Sequence, residues 1–275
     1  MGLRIATNVP SLATQRNLSN TSMEASKSFA RLSSGQRITK SGDDAAGLSI
    51  SNKLEASVRG LKMAQRNAND GISFVQTAEG GINEVSNILI RLRELSVQAA
   101  SDTIGEAERG FLNKEVQSLK GEIDRISQVT NYNGTALLNG EGSELTFQVG
   151  TEAGEMNRIA FDPSKTNVQA SALGVDGLDL AQKDGALEAL GSLDEAIKRV
   201  NENRSELGAL QNRLHSTSNT LGIAVENLSD ARSRIADTDI AAETSTLMKN
   251  QILQNAGISV LSQANTSPNS ALKLL

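Results

Sequence analysis

The sequence has no Cys, no Trp, one Tyr, one His and three Pro in 275 residues, and each shortage removes a class of chemistry. Without Cys there is no disulfide framework, thiolate nucleophile, zinc ribbon or iron–sulfur site, and the lone His215 falls short of the two or three imidazoles that most transition-metal sites use. Aromatic residues make up 2% of the chain, which argues against stacking platforms for single-stranded nucleic acid. Neither sign of charge dominates: 27 Lys and Arg stand against 32 Asp and Glu, a formal net charge of −5, so no positive field awaits a phosphate backbone. Nothing in the sequence calls for a cofactor or a metal.

Long apolar runs are missing as well. No window nears the roughly 20 apolar residues of a membrane-spanning helix. Between Met1 and Asn20 the apolar Leu3, Ile5, Val9, Leu12 and Leu18 are set among polar residues, whereas a secretory signal needs an unbroken apolar stretch of about 7–15. The opening Met-Gly-Leu-Arg-Ile-Ala also lacks the hydroxyl residue of a myristoylation signal. The expectation is a soluble chain whose passage out of the cytoplasm, where it occurs, does not use a secretory signal.

What is present is helical periodicity. Of the residues, 38% are hydrophobic, mostly Ala, Leu, Ile and Val. Steps of seven from Leu193 reach Val200, Leu207, Leu214, Leu221, Leu228 and Ile235, an apolar stripe that a helix of period near 3.5 holds on one face. Three residues further on lie Ala196, Asn203, Leu210, Thr217, Ala224, Ala231 and Thr238, mostly small, which predicts close approach of a neighbouring backbone. A second ladder runs Leu54, Leu61, Ala68, Val75, Ile82 and Leu89, flanked by Ala64, Ala78, Val85, Leu92 and Ala99. It predicts a helix from about Asp44 to Ala100, roughly 85 Å long at about 1.5 Å per residue. An amphipathic helix of that length needs a partner helix, and the stripe in the other half is the candidate, lying antiparallel in a hairpin-like rod.

A third helix is expected over about Gly105 to Val129, with Leu112, Val116, Leu119, Ile123 and Ile126 on one face. Asn131-Tyr132-Asn133-Gly134 ends it in a tight turn. The period then changes to two: Leu145, Phe147 and Val149 alternate with polar residues, as do Ile159 and Phe161, with Gly150 to Asn157 as the hairpin connection. Gly174 to Lys183 reads as connection back to helix. The fold class is therefore mainly α, long antiparallel coiled-coil helices forming a rod with a small β-hairpin region near the middle of the sequence. At the two ends, residues 3 to 32 and 243 to 264 carry Leu12, Met23, Phe29 and Leu32, then Leu247, Ile252, Leu253, Val260 and Leu261, at helical spacing among Ser, Asn and Gln. With little else in the chain to pack on, these faces are expected to be buried against other subunits.

Two constellations invite a chemical reading. Asp43-Asp44 beside a Gly-rich stretch has the makings of a metal or acid–base pair, but adjacent helical residues point in different directions, and Asp ahead of Ala-Ala-Gly-Leu is a good N-cap for the long helix. His215, near Ser216 and Ser218, offers parts of a hydrolase site, yet no orienting group or oxyanion hole accompanies it, and a surface His on a helix fits better. Arg91, Arg93 and Glu94, by periodicity, belong to a solvated helix face. No enzymatic activity is expected.

The stretch Leu32-Ser33-Ser34-Gly35-Gln36-Arg37-Ile38, with Asp43-Asp44-Ala45-Ala46-Gly47-Leu48-Ser49-Ile50 after it, resembles the N-terminal signature of bacterial flagellin. Ala231-Arg232-Ser233-Arg234-Ile235, Asp237-Thr238-Asp239, Gln251-Ile252-Leu253-Gln254-Asn255-Ala256-Gly257 and Gln263-Ala264-Asn265 resemble its C-terminal signature. The middle is short, as in a minimal flagellin without large variable domains. The resemblance implies an inner coiled coil from 1–43 and 238–275, an outer core domain from the helices at 44–130 and 184–237, and a β-hairpin region at 131–183. It implies a secreted subunit of the extracellular flagellar filament for swimming motility, a helical homopolymer exported unfolded by the flagellar type III system. It also implies an export chaperone on the C-terminal segment, a filament cap protein and hook–filament junction proteins as partners. A receptor patch for Toll-like receptor 5 is matched by Arg91, Arg93, Glu94, Leu95 and Glu115. The ending Ala271-Leu272-Lys273-Leu274-Leu275 differs from the Leu-Leu-Arg of some relatives. A hook–filament junction protein of the same family is the near alternative; the full match from Gln251 to Asn265 favours flagellin.

Overall fold

The computed structural model describes residues 7–142 and 144–272. Leu3 and Ile5 of the N-terminal pattern, and Lys273, Leu274 and Leu275 of the C-terminal ending, lie outside them. Among the described residues, six α-helices carry the fold: α1 Val9–Ser34, α2 Ala45–Ala99, α3 Glu106–Val129, α4 Ala170–Leu173, α5 Lys183–Ala236 and α6 Ile240–Leu272. Four short strands lie between α3 and α4: β1 Asn131–Tyr132, β2 Thr135–Ala136, β3 Leu145–Gln148 and β4 Arg158–Phe161. The chain divides into two compact units, residues 1–58 with 227–275 and residues 59–226.

In the unit of residues 59–226, α2 and α5 run antiparallel. Gln65 Nε2 donates to the Ser218 carbonyl at 3.3 Å, and Arg93 Nε donates to Asp194 Oδ1 at 2.7 Å further along. The two heptad ladders form the centre of this unit's core: Ala68, Val75, Ile82 and Leu89 of α2 and Leu193, Val200, Leu207 and Leu214 of α5 are all buried in one cluster. Helix α3 lays Val116 and Ile123 on the same cluster, with Leu112, Leu119 and Ile126 partly buried against it. A ladder of period seven keeps one face turned to its partner along the whole contact, which is why no globular interior is required.

Local chemistry fixes the ends. Beyond α2 the chain must reverse, and the buried Arg109 of α3 holds the reversal by donating Nε to the Ala99 carbonyl at 2.8 Å and Nη2 to the Ser101 carbonyl at 2.9 Å. The Ala99 carbonyl is one that a helix C-terminus leaves without a partner. After α3, β1 and β2 are joined by Asn133 and Gly134 at φ 50 and φ 81, the paired left-handed residues of a type I′ turn. Strands β3 and β4 pair antiparallel with Leu145 opposite Phe161 and Phe147 opposite Ile159. The aromatic residues gather here: Phe74 of α2 meets Tyr132, Phe147 and Phe161 edge-to-face at centroid distances of 5.7, 5.5 and 5.0 Å. The stretch Gly174–Lys183, expected as plain connection, packs Val175, Leu178 and Leu180 into the core. Short apolar runs without period give no sign of such burial in advance.

Candidate assembly surface on the terminal helices

The unit of residues 1–58 and 227–275 is built differently. Helices α1 and α6 lie antiparallel: Asn8 Nδ2 donates to the Ala264 carbonyl at 2.8 Å, Ser11 Oγ donates to Asn265 Oδ1 at 2.8 Å, and Arg31 Nη1 lies 3.9 Å from Glu243 Oε2 at the other end. The terminal helices therefore do have a partner within the chain, a correction to the periodicity reading. Its signal was missed because the seam is small and polar: Ser11, Ser28 and Asn250 are its buried residues, and Gly257 meets Leu18. Small side chains let the backbones approach, and hydroxyl and amide hydrogen bonds hold them where large apolar knobs would not fit.

Many of the large apolar residues of the same helices point away from that seam. Phe29 is 66% exposed and Ile252 67%, and Leu12, Met23, Leu253 and Val260 are exposed with them. Leu32, Leu247 and Leu261 are half-buried at the edge of the seam. Val9, Ile240, Met248 and Ile258, which the sequence did not single out, are exposed too. The signal that marks them is lack of charge, since Glu243 and Lys249 are the charged residues of the 33 in α6. Successive residues on a helix point about 100° apart. Ile252 and Leu253 thus face different directions, and no single flat partner covers both.

The chain segments entering and leaving this helix pair are tied together. Gly35, at φ 69, ends α1. Arg37 N–H then donates to the Ala236 carbonyl at 2.7 Å and Thr238 N–H to the Gly35 carbonyl at 3.0 Å, closing a bridge between Gln36 and Asp237. The Arg37 guanidinium adds bonds of 2.7 and 3.2 Å to the Ile235 carbonyl. The two neighbouring carboxylates divide their work. Asp44 Oδ1 accepts the Gly47 N–H at 2.8 Å, at the first turn of α2, whereas Asp43 Oδ2 accepts the Thr39 hydroxyl at 2.9 Å and the backbone N–H groups of Thr39 and Lys40 at 3.1 Å. The Thr39 hydroxyl, followed by those backbone donors, holds the Asp43 carboxyl below the usual carboxylate range. Asp43 thus organises the loop before the helix rather than capping it.

The five residues of the receptor motif do not share one surface. Arg91 donates to Glu115 Oε1 through Nε and Nη2 at 3.1 and 2.9 Å and to Glu94 at 3.1 Å, an exposed cluster in which Glu115 and then Glu94 raise the pKa of the guanidinium. Arg93 turns to Asp194 of α5. Leu95 is 1% exposed and belongs to the core, so it cannot offer its side chain to a partner. His215 is exposed on α5, and the nearby Ser218 is buried and bonds Asn69 Oδ1 at 3.1 Å, so the two are not assembled for catalysis. Among the described residues no group of three His, Asp or Glu is placed to hold a metal ion, and no helix is long and apolar enough to cross a membrane.

Residues 5–143 match the bacterial flagellin N-terminal helical region, and residues 190–275 match the bacterial flagellin C-terminal helical region. The chain belongs to the bacterial flagellin family. Flagellins are structural proteins without enzymatic activity. A flagellin of Halalkalibacterium halodurans is 42% identical over 98% of each chain, and the flagellar filament 33 kDa core protein of Treponema phagedenis is 40% identical over 98% of each. Flagellin A of Vibrio cholerae is 35% identical over 100% of both, across 379 aligned positions, so that relative holds insertions that this flagellin lacks. A crystal structure of Bacillus cereus flagellin superposes with a TM-score of 0.51 at 30% identity, covering 57% of this chain and 88% of that one. A putative flagellar hook-associated protein of Vibrio parahaemolyticus, at 14% identity, TM-score 0.61 and coverage of 71% of this chain and all of that one, shares the fold.

Proposed function

We propose that the chain is the repeating subunit of a helical flagellar filament outside the cell, and that the outward faces of α1 and α6 are its principal contacts with neighbouring copies. The observation that carries this is the inversion within the terminal pair: Ser and Asn take its fully buried positions while Phe29, Ile252 and their like face water. Fully burying each such side chain contributes about 1.5–3 kcal/mol. Faces that diverge around each helix need several neighbours at once, and a contact between unlike surfaces that does not close into a ring gives a filament. Purified protein added to filament fragments, followed by electron microscopy, tests the reading. Long filaments are expected; failure to elongate any seed sinks it, and growth that stops after one short layer points instead to a junction protein.

The same exposed apolar surface supports further expectations. A chain that hides these faces only in the polymer needs an export chaperone on α6 before assembly, and export in an unfolded state through a flagellar type III route keeps the monomer from aggregating in the cytoplasm. Filament cap and junction proteins then meet the same faces at the two ends of the polymer. Recognition by Toll-like receptor 5 is proposed through Arg91, Glu94 and Glu115 with Arg93 beside them. Unchanged receptor signalling by an Arg91→Asp monomer would remove that partner; Leu95 is not a usable test position, because an acid there would disrupt the core.

A further inference from the structure

With no Cys and no Trp in the chain, two-electron oxidants meet thioether sulfur before other side chains. Of the five Met, Met1 lies outside the described residues, and the other four stand more than half exposed: Met23 56%, Met63 51%, Met156 100% and Met248 63%. They divide by place. Met63 of α2 and Met156 of the β3–β4 connection belong to the unit of residues 59–226, whereas Met23 of α1 and Met248 of α6 belong to the terminal pair.

Antiparallel packing brings the second two to nearly one level. Leu18 approaches Gly257 and Arg31 approaches Glu243, so Met23, five residues past Leu18, comes level with about Ile252. Met248 is one turn of α6 away and borders an open hollow on the helix surface with Thr244, Lys249, Ile252 and Leu253.

We infer that Met23 and Met248 form an oxidant-sensitive switch on assembly: their conversion to sulfoxide leaves the fold of the single chain intact and blocks its addition to the filament. A sulfur lone pair attacks one oxygen of hydrogen peroxide, the O–O bond breaks, an S–O bond forms and water leaves. The thioether is thereby oxidised by two electrons as the peroxide is reduced. A methionine sulfoxide reductase reverses the change, the oxygen leaving as water while two thiols close to a disulfide. In the monomer the sulfoxide oxygen stays hydrated. On a face that a neighbouring copy must cover, it is a strong acceptor taken out of water with no donor to meet it. The switch rests on the filament reading and deepens it, because it regulates the same faces; sulfur already buried in the polymer is shielded, so the free subunit is the form that responds.

Three proteins are compared: wild type, a first variant with Met23→Leu and Met248→Leu, and a second with Met63→Leu and Met156→Leu, leucine being close to methionine in volume. Each is treated with hydrogen peroxide as monomer, desalted, checked by circular dichroism and peptide mass spectrometry, and added to untreated seeds, with elongation followed by sedimentation. Wild type and the second variant are expected to slow at least about tenfold with unchanged helix content, and to recover after the reductase, while the first variant keeps its untreated rate. Treated wild type that carries both sulfoxides and elongates at the untreated rate overturns the switch. So does equal slowing of the first variant, or peroxide that oxidises Met156 and spares Met23 and Met248. Wild-type filaments treated after assembly give a readout that needs no variant: sulfoxide at Met23 and Met248 forms at least about tenfold more slowly than in the monomer, and an equal rate contradicts the shielding on which the switch depends. Untreated wild type that never elongates seeds removes the filament reading and the switch with it.

Discussion

The two units of this flagellin use hydrophobic residues in opposite ways. In residues 59–226 the ladders of α2 and α5 turn inward, and Leu89, Val200 and Leu214 are fully buried in the monomer. In the pair α1 and α6 the fully buried positions are polar and most large apolar groups turn outward, Ile252 to 67% exposure. Apolar surface therefore has two destinations: an interior that exists in the single chain and one that other copies must supply. The difference teaches that periodicity finds the first kind. The second kind is marked by apolar residues on several sides of a helix that has few charges.

Matched truncations break the comparison most directly. Leu89→Ala is expected to lower monomer stability by about 2–5 kcal/mol, the range for emptying a buried leucine site. Ile252→Ala should stay within about 0.5 kcal/mol, as an exposed substitution does. Urea unfolding followed by circular dichroism measures both, and equal losses would erase the distinction between the units. A smaller effect is expected at the end of α2. Arg109→Ala strands the Ala99 carbonyl and should cost about 1–3 kcal/mol; a monomer that unfolds at the wild-type urea concentration would show that water replaces the guanidinium.

In the other unit, Asp44→Ala removes the bond to the Gly47 N–H and should cost about 1 kcal/mol, read by the same unfolding curves. Asp43 gives the subtlest effect, visible through pH. Its carboxyl is held below the ordinary value in the folded chain, so it stabilises the fold above its unfolded pKa, and that contribution is lost as pH falls through the lower folded value. Asp43→Asn should therefore be less stable than wild type at neutral pH, and the two should converge on acidification between about pH 5 and pH 2. Parallel curves over that range would mean the bonds from Thr39 and Lys40 do not depend on the charge.

The long helices were legible because their physics is local. Ladders of period seven gave α2, α3 and α5 to within a residue or two, and Asn133-Gly134 marked its turn because few residue pairs accept two left-handed conformations. Where residues act across distance, the sequence was mute. The bond from Ser11 to Asn265 joins positions far apart in the chain through side chains common in any helix surface. Buried Arg109 looks like every exposed arginine until the carbonyls it serves are placed beside it. Leu95 shows the converse: the part of the motif read as one run on α2 loses its shape on a helix, where consecutive residues fan around the axis and Leu95 enters the core.

The central claim is that the outward faces of α1 and α6 contribute to assembly and not to the fold of the single chain. Seeded elongation of a double variant, Phe29→Ser with Ile252→Ser, tests it, with filament growth followed by sedimentation and the monomer followed by circular dichroism. The account predicts a monomer with wild-type helix content and unfolding midpoint whose elongation falls at least tenfold. Elongation at the wild-type rate, or a monomer that has lost its helices, would contradict it.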